Sequence, residues 1–335
     1  MREAIERRAL IVLDGLGVRL QGTYHLPADR RVDSASASNR LDRVGVLFVN
    51  SLSLPRAASG DSAVHWADAI ADRGYPAFRI DLPGLGDSDG EASTNLLDSI
   101  NAGGLAAVTV AAAKKLTDRF GLTGMILFGH CAGSVSALYA ASASAECKGL
   151  LLLDPYFHLP QAKRPKMREQ LSDWARRSRV GKFLSNSFDQ ARNLRLTLRG
   201  NAPPANANVQ LLACWKQVAT AGLPILLLRA PGIKAQGARP RVGEFDYIEH
   251  VTKLAGRKSR VAVEFVEDAD HSFANRLGRD AVQRHIADWM AVHFPLRYSR
   301  VNTRSATQSR TVESQTESRK TKTAAADLDC ALEDR

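Results

Sequence analysis

One cysteine stands in a setting able to activate it. Cys131 is the centre of Gly129-His-Cys-Ala-Gly133, after an apolar run at 125–128 and before a small-residue helical stretch at 134–143. A nucleophile on a sharp strand-to-helix turn needs small neighbours two positions away on each side, because the two arms of the turn nearly touch. Free N–H groups and the dipole at a helix start favour negative charge, which suits both a thiolate and an oxyanion. A thiolate is intrinsically more nucleophilic than a hydroxyl, and a neighbouring imidazole promotes its formation. The pattern is one for covalent acyl chemistry through sulfur. The competing reading is an inert buried cysteine, since free cysteine is among the most buried residue types.

The elements that would position Cys131 follow from hydrophobic periodicity. Segments 11–13 and 20–24 read as a leading hairpin. Continuous apolar runs at 44–49, 76–80, 124–128, 149–153, 224–228 and 261–266 read as buried strands. Helical patterns occupy 63–73, ending at Gly74, then 96–120 with an interruption at Gly103-Gly104, then 134–143 and 279–293. This alternation predicts an α/β fold class: a mostly parallel sheet with helices on both faces. Residues 28–42 read as a polar loop. Residues 1–155 and 222–297 are expected to form the core, and 156–221 an inserted basic helical cap. Residues 298–335, rich in Ser, Thr, Arg and Glu, are expected to be a disordered tail.

Composition narrows the function classes. The chain has 335 residues, 44 % of them hydrophobic, enough for one large domain with an insertion. No run approaches the roughly 18–20 apolar residues of a membrane span. The N-terminus lacks the apolar core of a secretory signal, so a soluble, cytoplasmic protein is expected. Cysteines 131, 147, 214 and 330 have no paired spacing, which argues against zinc and against a disulfide framework, and a reducing compartment suits a working thiol. The net charge of +11 is concentrated: between residues 156 and 208 eleven Lys or Arg face three acids. That stretch is either a solvated helical face or an attractor for an anionic substrate, such as an acyl carrier or a nucleotide-bearing thioester. Nucleic acid is disfavoured, because no binding motif or aromatic interleaving accompanies the charge. No metal or other cofactor is expected: the histidines lack ligand spacing, and residues 84–90 do not match the dinucleotide fingerprint. Nothing in the sequence sets an oligomeric state.

Four segments in order carry a resemblance to a known family. They are Phe48-Val-Asn50 with Pro55-Arg56, the run Gly74-Tyr-Pro-Ala-Phe-Arg-Ile-Asp-Leu-Pro-Gly-Leu-Gly-Asp-Ser88, the cysteine turn, and Ala269-Asp-His-Ser-Phe273. Together they resemble the α/β-hydrolase superfamily, nearest to serine-aminopeptidase-like and exosortase-associated hydrolases, over residues 10–155 and 222–295. The resemblance implies the α/β-hydrolase fold, with Cys131 in the position usually held by serine. It implies that His271 is the general base, taking the thiol proton and returning it to the leaving group. It implies an oxyanion hole made by the Ala132 backbone N–H and a second donor after the 44–49 strand, near Ser51 or Leu52. The family usually supplies the acid after the strand at 224–228, but here that loop has no carboxylate before Glu244 and Asp246. Asp154, directly after the 149–153 strand, stands at the earlier strand end that haloalkane dehalogenases use. Asp154 is therefore the expected acid, with Asp246 and Glu244 as alternatives. His130 is expected to pack or to face the pocket rim. Asp81 and Asp87 read as loop-fixing residues, since turn chemistry alone explains them.

The leading expectation is a hydrolase cleaving an ester or thioester of a small-molecule acyl substrate through a Cys–His–acid triad and an acyl-enzyme. An acyltransferase would use the same intermediate; polyhydroxyalkanoate synthases are similar in the cysteine motif only. A non-catalytic binding protein is the third possibility, because one fold hosts many functions and the acid is absent from its usual place.

Overall fold

The computed structural model of the chain describes residues 7–15, 17–28, 41–160, 203–231 and 245–298. Eight strands form one sheet: β1 (Arg8–Leu13), β2 (Leu20–His25), β4 (Gly45–Val49), β5 (Ala77–Ile80), β6 (Met125–His130), β7 (Cys147–Leu153), β8 (Ile225–Arg229) and β9 (Val261–Phe265). Their order across the sheet is β1-β2-β5-β4-β6-β7-β8-β9. β2 runs antiparallel to both its neighbours, and every other pairing is parallel. Two further short strands, β3 (Leu41–Asp42) and β10 (Arg297–Tyr298), pair antiparallel with each other in a separate unit.

The apolar runs are continuous because both faces of the sheet are covered. Val46, Phe48, Ile126, Phe128, Leu151, Leu153, Leu226 and Leu228 point to one face, against α1 (Ser62–Asp72) and α7 (Arg276–His293). Their neighbours Leu47, Val49, Leu127, Leu150, Leu152 and Leu227 point to the other. That second face carries α2 (Leu96–Asn101), α3 (Ala106–Phe120), α4 (Ala132–Ala143), α5 (Val209–Thr220) and α6 (Tyr247–Ala255). Each fully buried Leu or Ile contributes about 1.5–3 kcal/mol, so a two-residue period on a doubly covered sheet is strongly fixed in register. The helical pattern at 96–120 is two helices. Gly103 has a φ of 79°, and a Cβ there would stand 3.2 Å from the Tyr139 ring.

The inserted segment differs from expectation at its C-terminal end. Residues 209–220 form α5, whose Leu211, Leu212, Trp215, Val218 and Ala219 are buried in the core. Trp215 is fully enclosed, and its Nε1 donates to the Val251 carbonyl at 2.7 Å, tying α5 to α6. This helix belongs to the sheet's own covering layer, because its apolar stripe has no other face to bury. Residues 161–202 of the expected cap, residues 29–40 of the polar loop and residues 299–335 of the expected tail lie outside the described residues.

A buried polar chain braces the edge of the sheet nearest the nucleophile's neighbour strand. His25 is fully buried, donates from Nδ1 to Asp68 Oδ1 at 2.7 Å and accepts at Nε2 from Arg79 Nε at 2.8 Å. Arg79 in turn donates to the Arg56 carbonyl at 3.1 Å. Arg56 pairs with Asp81, whose carboxylate also accepts from the Arg56 backbone N–H at 2.7 Å and from Asn50 Nδ2 at 3.1 Å. Asp81 thus anchors the chain just after β4, as a loop-fixing residue does. Among the described residues no helix is long and apolar enough to cross a membrane.

Candidate active site

The turn at the end of β6 is held in a conformation that L-residues avoid. Cys131 has φ 51° and ψ −115°, outside the helical and strand regions, and it immediately precedes α4. Such a backbone costs about 1–3 kcal/mol and persists only where its surroundings fix it. Here the Cys131 N–H donates to the Leu153 carbonyl at 2.9 Å, and Ser134 Oγ donates to the Gly129 carbonyl at 2.8 Å. The glycines are steric necessities. A Cβ on Gly129 would stand 2.3 Å from the Gly133 carbonyl oxygen, and one on Gly133 would stand 2.7 Å from the Val49 oxygen and 2.8 Å from that of Asn50.

The second of those contacts brings the start of α4 against the end of β4. Ala132, the first residue of α4, is buried, and its N–H belongs to the helix turn that lacks intrahelical acceptors. Ser51 is buried just beyond β4, and Leu52 follows with φ 50° and its side chain partly exposed. Asn50, between strand and loop, uses its whole amide on backbone and carboxylate: Oδ1 accepts from the Leu82 N–H at 2.8 Å and Nδ2 donates to the Leu54 carbonyl at 3.0 Å. The Asp81 brace therefore ends at the loop that carries Ser51 and Leu52.

The structure brings His271 and Asp154 together. Asp154 Oδ2 lies 2.9 Å from His271 Nδ1. Asp154 is fully buried at the end of β7, with φ 41°, and its Oδ1 accepts from the Ala230 N–H at 2.9 Å. The loop after β8, which holds no carboxylate near its start, contributes a backbone donor that fixes the carboxylate of the neighbouring loop. With Nδ1–H committed to Asp154, Nε2 is the nitrogen left for other work. The His271 pKa is raised to about 10, chiefly by the hydrogen bond to Asp154 and next by the Cys131 side chain, against a smaller cost of burial. Cys131, His271 and Asp154 thus form one electrostatically connected set.

The alternative carboxylate Asp246 stands elsewhere. Asp246 caps α6, accepting from the N–H groups of Ile248 at 2.8 Å and Glu249 at 3.0 Å, and lies 3.8 Å from Arg229. Its Oδ1 serves the helix terminus, and Oδ2 is the oxygen facing Arg229. Glu244 lies outside the described residues.

His130, expected to pack or to face the pocket rim, makes a specific polar contact. His130 is buried, and its Nε2 lies 2.6 Å from the His271 carbonyl oxygen. Burial, followed by the charge of His271, lowers its pKa to about 4, so it is neutral and donates Nε2–H to that carbonyl. The ring stands 5.2 Å from that of His271 and edge-on to Phe273, which is fully buried with φ 49°. His130 therefore tethers the backbone of His271 to the nucleophile's own strand. Nothing in the sequence distinguishes a tether at this position from a packed side chain. Asp270 tightens the same loop by accepting from Ser272 N–H at 2.9 Å and Ser272 Oγ at 2.6 Å.

Comparison with known proteins agrees with this architecture. Residues 47–208 match the family model described as alpha/beta hydrolase fold. An esterase from Pyrococcus furiosus is 12 % identical, with 85 % of this chain and 91 % of that chain covered and a TM-score of 0.56. The alpha/beta hydrolase GrgF from Penicillium sp. sh18 is 14 % identical over 85 % of this chain and 98 % of its own, with a TM-score of 0.53. An epoxide hydrolase from Vigna radiata is 17 % identical over 86 % and 99 %, with a TM-score of 0.50. No curated protein matches the chain by sequence. The chain has the α/β-hydrolase fold.

Proposed function

We propose that this protein is a hydrolase of carboxylic esters or thioesters that works through a covalent acyl-enzyme on Cys131. The observation that carries the reading is the hydrogen bond from His271 Nδ1 to buried Asp154, behind an imidazole that also interacts with the Cys131 side chain on its strained turn. A base oriented by a third group and facing a nucleophile is the arrangement that nucleophilic catalysis requires.

In this reading the raised pKa of His271 lets the imidazole hold the Cys131 proton at Nε2 before attack, and Sγ then adds to the acyl carbonyl carbon. Asp154 stabilises the imidazolium and keeps the ring in one tautomer. The N–H groups of Ala132 and of Ser51 or Leu52 hold the tetrahedral oxyanion. Collapse breaks the bond to the alcohol or thiol, which leaves with the proton from His271. A water molecule, deprotonated by His271, then attacks the thioester on Cys131 and releases the acid.

The test is to trap the intermediate. The protein is mixed with p-nitrophenyl acetate, quenched in acid, digested and weighed by mass spectrometry. The expected result is one acetyl group on the peptide containing Cys131, greatly diminished in His271→Ala. Rapid ester hydrolysis with no acetyl on that peptide would overturn the proposal. With an added acyl acceptor, release of the transferred acyl product in place of acid would identify the activity as acyl transfer.

A further inference from the structure

Tyr156 lies two residues beyond Asp154 and is almost fully buried, 5 % exposed. Its hydroxyl has no hydrogen-bond partner among the described residues. A buried hydroxyl pays its desolvation cost in full unless something completes it, so native structures rarely leave one unmatched. A second residue of the same face is also unmatched. Both side-chain atoms of Asn101, also 5 % exposed, lack partners among the described residues, while its backbone carbonyl accepts from Tyr139 Oη at 2.8 Å. Burial raises the Tyr156 pKa, and Cys131 and Tyr139 add to the rise. It remains a hydrogen-bond donor throughout the neutral range.

The topology says which part of a substrate this hydroxyl can meet. β6 carries Cys131, with β4 and its oxyanion loop on one side and β7 on the other. The Cys131 N–H is bonded to Leu153, three residues before Tyr156. Tyr156 therefore follows the strand end that flanks the nucleophile on the side opposite Ser51 and Leu52, away from the carbonyl oxygen. It also packs in the core cluster of the α4 face, which Cys131 abuts. Phe273 and Ala269, which flank His271 and so the leaving group, pack in the cluster of the other face. What remains on the Tyr156 side is the acyl chain.

We propose that the Tyr156 hydroxyl donates a hydrogen bond to an oxygen or nitrogen acceptor on the acyl chain of a substrate bound at Cys131, so that the site selects polar-substituted acyl groups over plain hydrocarbon ones. This rests on the acyl-enzyme reading only for the position of the acyl carbonyl.

The test separates binding from chemistry. In Cys131→Ala protein, which cannot turn over, binding of N-acetylcysteamine thioesters is measured by calorimetry in isosteric pairs: butyryl with methoxyacetyl, pentanoyl with 3-methoxypropanoyl, and hexanoyl with 4-methoxybutanoyl. Within each pair one CH₂ becomes an ether oxygen. For at least one pair, adding Tyr156→Phe is expected to shift the affinity ratio about 10-fold against the oxygen-bearing chain. Removing an unmatched hydroxyl is also expected to raise the melting temperature, by about 2–4 °C. Ratios unchanged in all three pairs, no binding of any thioester, or a fall in melting temperature with ratios unchanged would each overturn the proposal. Acetylation of Cys131 in the intact protein is read separately. A shifted ratio without acetylation sinks the nucleophile and leaves the polar subsite standing. Acetylation with unshifted ratios sinks the subsite alone.

Discussion

Asp154 and His271 are separated by 117 positions in the chain and joined by one hydrogen bond of 2.9 Å. Asp154 stands at the end of β7 and His271 beyond the end of β9, with β8 between them. The Ala230 N–H at the end of β8 occupies the carboxylate's other oxygen at 2.9 Å. One buried carboxylate thereby links the ends of three strands, and the imidazole inherits its orientation from all of them.

Asp154→Asn keeps the shape and an acceptor for Ala230, but presents an NH₂ group to His271 Nδ1. The ring must then carry its proton on the nitrogen meant to receive one. Steady-state hydrolysis of p-nitrophenyl acetate is expected to show kcat reduced by about 10³–10⁴-fold, by analogy with the same change in a serine-protease triad. A loss below tenfold would show that Asp154 does not orient the base.

Gly133→Ala sets a Cβ 2.7 Å and 2.8 Å from two backbone oxygens of the β4 end. Neither oxygen is the end of a flexible side chain, so the helix and the oxyanion loop must separate. Urea unfolding is expected to report a loss of about 1–3 kcal/mol, and acylation of Cys131 is expected to slow. Wild-type stability with wild-type acylation would mean that this close approach is not needed.

Much of this architecture was legible in the chain. The strand at 149–153 ends in an aspartate, and the glycines around Cys131 announce a turn whose arms touch. What the sequence left open turns on distances it does not encode. Asp154, Asp246 and Glu244 were all eligible acids; Asp154 lies 2.9 Å from His271 Nδ1, whereas Asp246 caps a helix. The helix at 209–220 read as part of the cap because it adjoins basic sequence, yet Trp215 buries it in the core. The bonds of His25 to Asp68 and Arg79, and of His130 to the His271 carbonyl, join residues between 43 and 141 positions apart. No local pattern marks such pairs.

His130→Phe fills the same buried space and removes the donor to the His271 carbonyl. Freed of its tether, His271 is expected to spend less time in reach of Cys131, lowering kcat about tenfold while KM stays within twofold. His130→Gln, which restores a donor, is expected to recover part of the loss. A rise in KM with kcat unchanged would assign His130 to substrate binding.

The histidines divide by protonation. His25 and His130 have pKa values lowered to about 4, each chiefly by burial, and His271 is raised to about 10 by its partners. A lowered value means that the unfolded chain binds the proton more readily. The stability tied to His25 and His130 is therefore full above about 6.5 and declines as pH falls towards 4. The contribution of His271 has the opposite sign: full below about 6.5 and lost as pH rises through 10. Imidazole resonances followed by NMR are expected to titrate in these two groups. A midpoint near 6.5 for His25 or His271 would contradict the burial or pairing described.

The measurement that bears most directly on Cys131 as the nucleophile is competitive labelling. Native protein at pH 7 is treated with limiting iodoacetamide and each cysteine is quantified by mass spectrometry, with His271→Ala beside it. Cys147 is buried, its pKa pushed up to about 12, while Cys131 and Cys214 are both partly exposed. Exposure alone would leave those two alike. The expected result is labelling of Cys131 at least about tenfold faster than Cys214, with that advantage lost in His271→Ala. Equal labelling of Cys131 and Cys214 in the wild type, or an advantage that survives removal of the imidazole, would contradict a Cys131–His271 pair.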